Sequence, residues 1–189
     1  MEEKNRVFTY AFLSRMFADV LDMKAIRQLR ENKDFLMLLG QESVDYFEQK
    51  SDEVIEEEAN VDFTSTFIMH THPVESAIFD NSKDIITGLE NPVMQFYIDH
   101  GFEVNMNSTH IMAPDHMAIE IGFMQNLVMQ GNYEAQKKFM HQHVLNWMPP
   151  FLIACEEMVE TPLYKNLCNF ATEFFISDYT YIQEKCSDE

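Results

Sequence analysis

Asp115 and His116 stand side by side in Met112-Ala113-Pro114-Asp115-His116-Met117-Ala118-Ile119-Glu120, where polar chemistry is concentrated within an otherwise apolar, helix-forming sequence. A carboxylate beside an imidazole can move a proton, and a carboxylate alone can grip a guanidinium at two points. Pro114 suits the first position of a helix, where its missing N–H costs nothing. Asp115 would then fall in the first turn, facing the positive end of the helix dipole. His116 and Glu120 are four apart and would share a face. The same residues also read as a plain helix start, with a stabilising acid and a packed histidine. No Gly-x-Ser-x-Gly and no Gly-rich phosphate loop stands beside the pair, so a nucleophile is not offered.

The seven histidines fall between His70 and His143, with His70-x-His72 and His141-x-His143 spaced by two. Residues two apart on a helix point about 200° apart, so such pairs rarely chelate. Neither Glu-x-x-His nor His-Glu-x-x-His occurs. A metal-dependent hydrolase using these histidines is one alternative function, and a plain helical scaffold is another. No metal and no cofactor are assigned.

The 189 residues carry 13 Lys and Arg against 32 Asp and Glu, a formal charge of −19. That argues against nucleic-acid backbones and anionic membrane surfaces, and permits a basic partner. Between Ser51 and Gln136 there are 15 acids and a single base, Lys83. Glycine is scarce at 5, while Met (14) and Phe (16) abound, which favours helices and adaptable apolar surfaces. The cysteines Cys155, Cys168 and Cys186 form no Cys-x-x-Cys pair, and an odd count suits a reducing compartment. The N-terminal residues lack a signal-peptide pattern and no apolar run is long enough to span a bilayer. A cytoplasmic protein without membrane insertion is expected.

The elements that must position these residues read as helices throughout. The first carries Val7, Tyr10, Phe12, Leu13, Met16, Phe17, Val20 and Leu21. A second runs from Met23 to Leu39 and ends at Gly40. Ser51 caps a third, which continues through Phe63 and Phe67. Thr71 to Glu90, with Pro73, Asn81 and Gly88, reads as a long loop. Asn91-Pro92 restarts a helix that Gly101 closes. Residues 102–113 lack periodicity and form a candidate hinge. Pro114 to Gln130 is a helix, with Gly131 beyond its end. Asn132 caps the next, which runs to about Asn146 until Pro149-Pro150 breaks it. Thr161-Pro162 opens the last. The expectation is an all-α, single-domain helical bundle of roughly eight to ten helices over residues 1–189.

Two blocks stand out beyond this pattern. One is Phe63-Thr64-Ser65-Thr66-Phe67 followed by Pro73-Val74-Glu75-Ser76; the other is Asp115-His116 with Glu120 and Phe123-Met124. They resemble the Tyr-x-x-Leu-Phe, Pro and Glu-Ser segment, and the Glu-Pro-x-Asp-His-x-x-x-Glu block, of the TorD/DmsD/NarJ family of cytoplasmic chaperones that mature molybdenum oxidoreductases. Phe139, His141, His143, Trp147 and Phe151 are similar to the family's histidine–Trp–Phe junction. Arg6, Tyr10 and Phe17 and the aromatic last helix also fit. The Pro lies one place later than in the family, at Pro114, and Phe63 and Thr66 replace Tyr and Leu.

The resemblance implies a helical chaperone that binds the twin-arginine leader and apo form of a molybdoenzyme catalytic subunit. It would assist cofactor loading and delay export. The implied peptide-binding residues are Asp115, His116, Glu120, Tyr10, Phe63, Phe67, Pro73, Glu75 and Ser76. Asp115 would pair with a leader arginine, His116 would orient it or donate to the peptide, and Tyr10, Phe63 and Phe67 would form apolar wall, unless they simply pack the core. Trp147 reads as structural. The chain would be a monomer, or a dimer that swaps halves at the hinge.

Overall fold

In a computed structural model the described residues are 2–79, 86, 88–104 and 113–187. Among them every regular element is helical, and the one β contact is an isolated antiparallel bridge between Val74 and His116. The elements are α1 (Glu3–Ala18), α2 (Met23–Glu31), α3 (Lys33–Leu39), α4 (Gln41–Gln49), α5 (Asp52–Phe63) continued by a π turn (Thr64–His70), α6 (Glu75–Phe79), a 3-10 turn (Gly88–Glu90), α7 (Met94–Asp99), α8 (Met117–Met129), α9 (Tyr133–Phe139) continued by a second π turn (Met140–Val144), α10 (Leu145–Glu156) and α11 (Pro162–Ser187). The chain forms two compact units, one of Met1–Ala18, Pro73–Pro149 and Phe175–Glu189, the other of Asp19–His72 and Pro150–Phe174.

Side-chain caps set several helix starts. Asp22 accepts from the Ala25 N–H at 2.8 Å, Asn132 from Ala135 at 3.1 Å, Ser51 from Val54 at 3.5 Å and Thr161 from Tyr164 at 3.4 Å. Each fills one of the donors that a helix N-terminus leaves unmet. Gly131 ends α8 with φ 66°, a left-handed value that a Cβ would strain.

The first unit is built around α8, which is apolar on all sides and buries Met117, Ile121, Phe123, Met124, Leu127 and Val128. Gly122 lets α1 come close: a Cβ there would stand 3.3 Å from the Ser14 hydroxyl. That hydroxyl donates to the Ala118 carbonyl at 2.7 Å. At the far end of α1 the guanidinium of Arg6 is fully buried. It donates to both carboxylate oxygens of Asp178 at 2.6 and 2.9 Å and to Gln136 at 2.6 Å. Tyr10 adds a hydroxyl bond to Asp178 at 2.7 Å, and the Gln136 amide donates to the Leu127 carbonyl at 3.1 Å. The charge is enclosed yet every group around it is paired, which is the condition for burying it.

In the second unit Phe63, Phe67 and Tyr164 pack ring to ring at 5.4 to 5.9 Å. Asp62 accepts from the N–H groups of Glu160 at 3.0 Å and Thr161 at 2.9 Å, fixing the start of α11. Arg30 donates to the Lys50 carbonyl at 2.8 Å, to the Phe47 carbonyl and to Asp52 at 2.6 Å, so one side chain closes α4 and meets the start of α5.

Four local readings change. The segment from Met23 to Leu39 divides at Asn32, whose N–H bonds back to Gln28 and Leu29. The span from Thr71 to Glu90 holds α6 as well as loop. Pro149-Pro150 lies inside α10 rather than breaking it. Pro114 and Asp115 precede α8 instead of forming its first turn. The expected hinge at 102–113 falls mostly on 105–112, outside the described residues.

Breaking the buried pair should be costly. Asp178→Ala leaves the enclosed Arg6 guanidinium with only the longer carboxylate contact to the half-exposed Glu3 at 3.4 Å, and should lower unfolding free energy by about 3–5 kcal/mol in urea titration. The double variant Arg6→Met with Asp178→Leu should cost clearly less than the two single changes added together. Additive losses would show that the pair does not act as a unit.

Candidate functional site

The mouth of α8 is laced to the segment that precedes α6. The Met117 N–H donates to the Pro73 carbonyl at 2.8 Å, and the Glu75 N–H to the Asp115 carbonyl at 3.0 Å. The Asp115 carboxylate accepts from the Ser76 N–H at 2.7 Å. Asp115 thus serves the start of α6, a helix of 5 residues, and not its own helix. His116 is the cap of α8: it has extended backbone, and its Nδ1 accepts from the Ala118 N–H at 3.1 Å. The Tyr97 hydroxyl holds the turn from beneath by donating to the Pro114 carbonyl at 2.9 Å.

Glu120, one turn into α8, is fully buried, as is Asp115. Trp147 Nε1 donates to Glu120 Oε2 at 3.3 Å. His143 Nδ1 meets both oxygens of Glu75, at 2.8 and 3.1 Å. The imidazole is held between Phe96 at 5.2 Å and Phe139 at 4.9 Å. His143 and Trp147 are four apart, and the second π turn helps aim them at the same place. Ser76 Oγ accepts from the Ile86 N–H at 3.2 Å and is thereby occupied in the loop.

The electrostatics follow from dryness and like charge. Burial, then the neighbouring carboxylates of Glu75 and Asp115, push the Glu120 carboxyl well above the usual range. Burial lowers the His116 imidazole to about 4 and keeps it neutral. Burial and the same three carboxyls push the Tyr97 phenol up. Among the described residues nothing hydrogen-bonds to Asp115 Oδ1 or Glu120 Oε1. Two buried oxygens are therefore unmet, and the one on Asp115 is open to a donor.

Pro73, Glu75, Ser76, Asp115, His116 and Glu120 are thus brought together. Tyr10 also belongs to the first unit, but it is spent on Asp178 in the core. Phe63 and Phe67 belong to the second unit and pack on Tyr164. His143, Trp147 and Tyr97 complete the cluster; the family-like histidine–Trp–Phe junction was the sequence signal for the first two, and Tyr97 carried none. Of the remaining histidines, His70 bonds the Ser65 carbonyl at 2.6 Å and His72 the Thr71 carbonyl at 2.7 Å. Among the described residues no three His, Cys, Asp or Glu side chains are placed to hold a metal ion.

A family model described as nitrate reductase delta subunit matches residues 23–152, a stretch that includes every side chain of the cluster. The chain belongs to that family. Among curated proteins it is similar to the chaperone protein TorD of Vibrio cholerae, 29% identical over 101 residues, 48% of this chain and 43% of that one. It is also similar to the chaperone protein TorD of Photobacterium profundum, 30% identical over 79 residues, 36% and 37% of the two chains. The TorD of Vibrio atlanticus is 27% identical over the same length, 79 residues. The chain therefore spans less than half the length of these relatives, which are named as chaperones and not as enzymes. No solved structure matches it. The resemblance read from the two sequence blocks is the family that the comparison returns.

The two shifted groups should act on stability with opposite sign. An unfolded histidine titrates near 6.5, so between about pH 6.5 and 4 the unfolded chain binds a proton that folded His116 does not. The contribution of neutral His116 is present above that window and is lost as pH falls through it. His116→Asn keeps a cap acceptor. The stability difference between wild type and this variant should therefore shrink from about pH 7 to 4.5 in denaturant titrations. Glu120 runs the other way, since its folded value is raised: its contribution is whole below the ordinary carboxyl range and is lost as pH rises. Glu120→Gln should gain on wild type as pH rises above the ordinary carboxyl range of about 4.3 and match it below that range. Differences that stay flat with pH would contradict both assignments.

Proposed function

We propose that this chain is a cytoplasmic maturation chaperone that binds the twin-arginine leader and apo form of a molybdoenzyme catalytic subunit. In this role it assists cofactor loading and delays export. Family membership and the named chaperone relatives support the general role. Among the described residues no helix is long and apolar enough to cross a membrane. The observation that carries the leader is the pair of unmet buried oxygens, Asp115 Oδ1 and Glu120 Oε1. A guanidinium is the side-chain cation whose fork of donors matches a carboxylate at two points, and it stays charged when desolvated. Asp115 would exchange its bond to the Ser76 N–H for that contact, which requires α6 to shift off the mouth of α8. The shift would break the bonds of the Glu75 and Ser76 N–H groups to Asp115 and strain the Met117 N–H bond to Pro73 and the pair of Glu75 with His143; α6 itself is only 5 residues long. His116 would keep the turn in register through its cap, and Glu75, Pro73 and Ser76 would line the opened edge.

Titration calorimetry with a twin-arginine leader peptide tests the reading. Asp115→Asn should weaken binding by about 1.5–3 kcal/mol with little change in melting temperature. Replacing the two leader arginines by lysine should cost most of the same energy, because an ammonium cannot make the planar contact. Binding should also weaken as salt rises. Unchanged affinity in Asp115→Asn would remove this cluster from the leader site.

A further inference from the structure

The outer face of α5 has the form of a helix-packing surface that, among the described residues, no other helix covers. Positions 54, 57, 58, 61 and 65 share one stripe of α5 and its π turn. The opposite face, with Ile55, Ala59, Phe63 and Phe67, is already used for the core. Glu57, Val61 and Ser65 form a ridge at spacing four with a cavity on either flank, one of about 610 Å³ and one of about 490 Å³. The larger is walled by Tyr46, Met158 and Pro162, the smaller by Asn60, Thr64 and Met69. A ridge between two grooves is the shape into which the ridges of a second helix fit. Apolar side chains on this face are wet: Val61 is 64% exposed, Met69 71%, Met158 42% and Val54 41%.

Charge selects the occupant. Glu57 and Glu160 line the larger groove with Asp62, which is spent on the start of α11, and the one ammonium there, Lys50, is committed to Glu58 at 2.6 Å, so the rim keeps an acidic excess. A second copy of this chain, with a net charge of −19, would meet the rim largely with charge of its own sign. Apolar anchors spaced for a helix, ringed by carboxylates, fit a helix with an apolar stripe and basic flanks. We infer that the α5 face docks a cationic amphipathic helix of a partner protein. This surface uses none of the residues proposed to hold the leader arginines.

The test uses the full chain and a fluorescent synthetic peptide of about 18 residues, with leucines at i, i+3, i+4 and i+7 and lysines or arginines on the flanks. Anisotropy should show saturable binding, weakened about tenfold or more by Val61→Asp and by Glu57→Lys. Both positions are exposed, and unchanged melting curves should accompany the loss. Val61→Leu should retain affinity. A scrambled peptide of equal charge should bind at least about tenfold more weakly, because its apolar stripe is gone. Asp115→Asn should leave this peptide's affinity unchanged. Equal affinity for the scrambled peptide, or for Val61→Asp, would overturn the inference. So would concentration-dependent self-association in sedimentation that Val61→Asp abolishes, since the face would then belong to a second copy.

Discussion

The enclosed guanidinium of Arg6 is the constraint on which the first unit depends. Its partners lie far away in sequence, with Asp178 172 positions on and Gln136 130 positions on. A charge without water must be met on all its donors, so α1, α9 and the end of α11 have one arrangement in which burial is tolerable. Tyr10 adds a second bond to Asp178 and packs on Phe175 at 6.5 Å, joining the ionic contact to the apolar core. With α1 fixed at that end, the close approach at Gly122 holds it along α8. The mouth of α8 is where the acidic cluster forms.

That cluster is a dry place in which like charges crowd. Three carboxyls approach one another under Tyr97 and Trp147, and the chain meets the cost in three different ways. Glu75 is given a histidine, Asp115 the N–H of Ser76, and Glu120 an indole N–H together with a preference for its neutral form. None of these arrangements uses all the acceptor capacity of Asp115 or Glu120. Natural cores rarely leave such groups unmet, and where they do the site tends to serve a purpose other than stability. In a chain of a chaperone family, a basic ligand is the chemistry that would complete it.

The second unit solves a different problem. Its helix α5 is apolar on two faces, one buried with Phe63, Ala59 and Ile55, the other exposed through Val54 and Val61 and interleaved with acids. The carboxylates keep the outer face soluble without covering it. The π turn that follows lets the chain pass from α5 to the Thr71 corner, where the Thr71 N–H bonds the Thr66 carbonyl at 2.9 Å.

Much of this was legible in the sequence. Scarce glycine, the 3.6-residue period and the caps at Ser51, Asn132 and Thr161 determine an all-helical chain, because such signals act over a few residues and need no distant partner. The Asp115-His116 block and the Pro73 to Ser76 segment were marked as belonging to one family pattern, and they do meet. What the sequence misassigned were roles that depend on neighbours. Asp115 looked like a first-turn acid of its own helix, but it caps α6 from 39 positions away while His116 takes the cap of α8. Pro149-Pro150 looked like a helix break, but both lie inside α10. Tyr10 and Arg6 carried no mark of a buried ionic network, since Asp178 and Gln136 become their neighbours only when distant helices pack. Local periodicity fixes where helices form; which charges are dehydrated, and by whom they are met, is decided by tertiary packing, because desolvation is a property of everything around a group and not of its place in the chain.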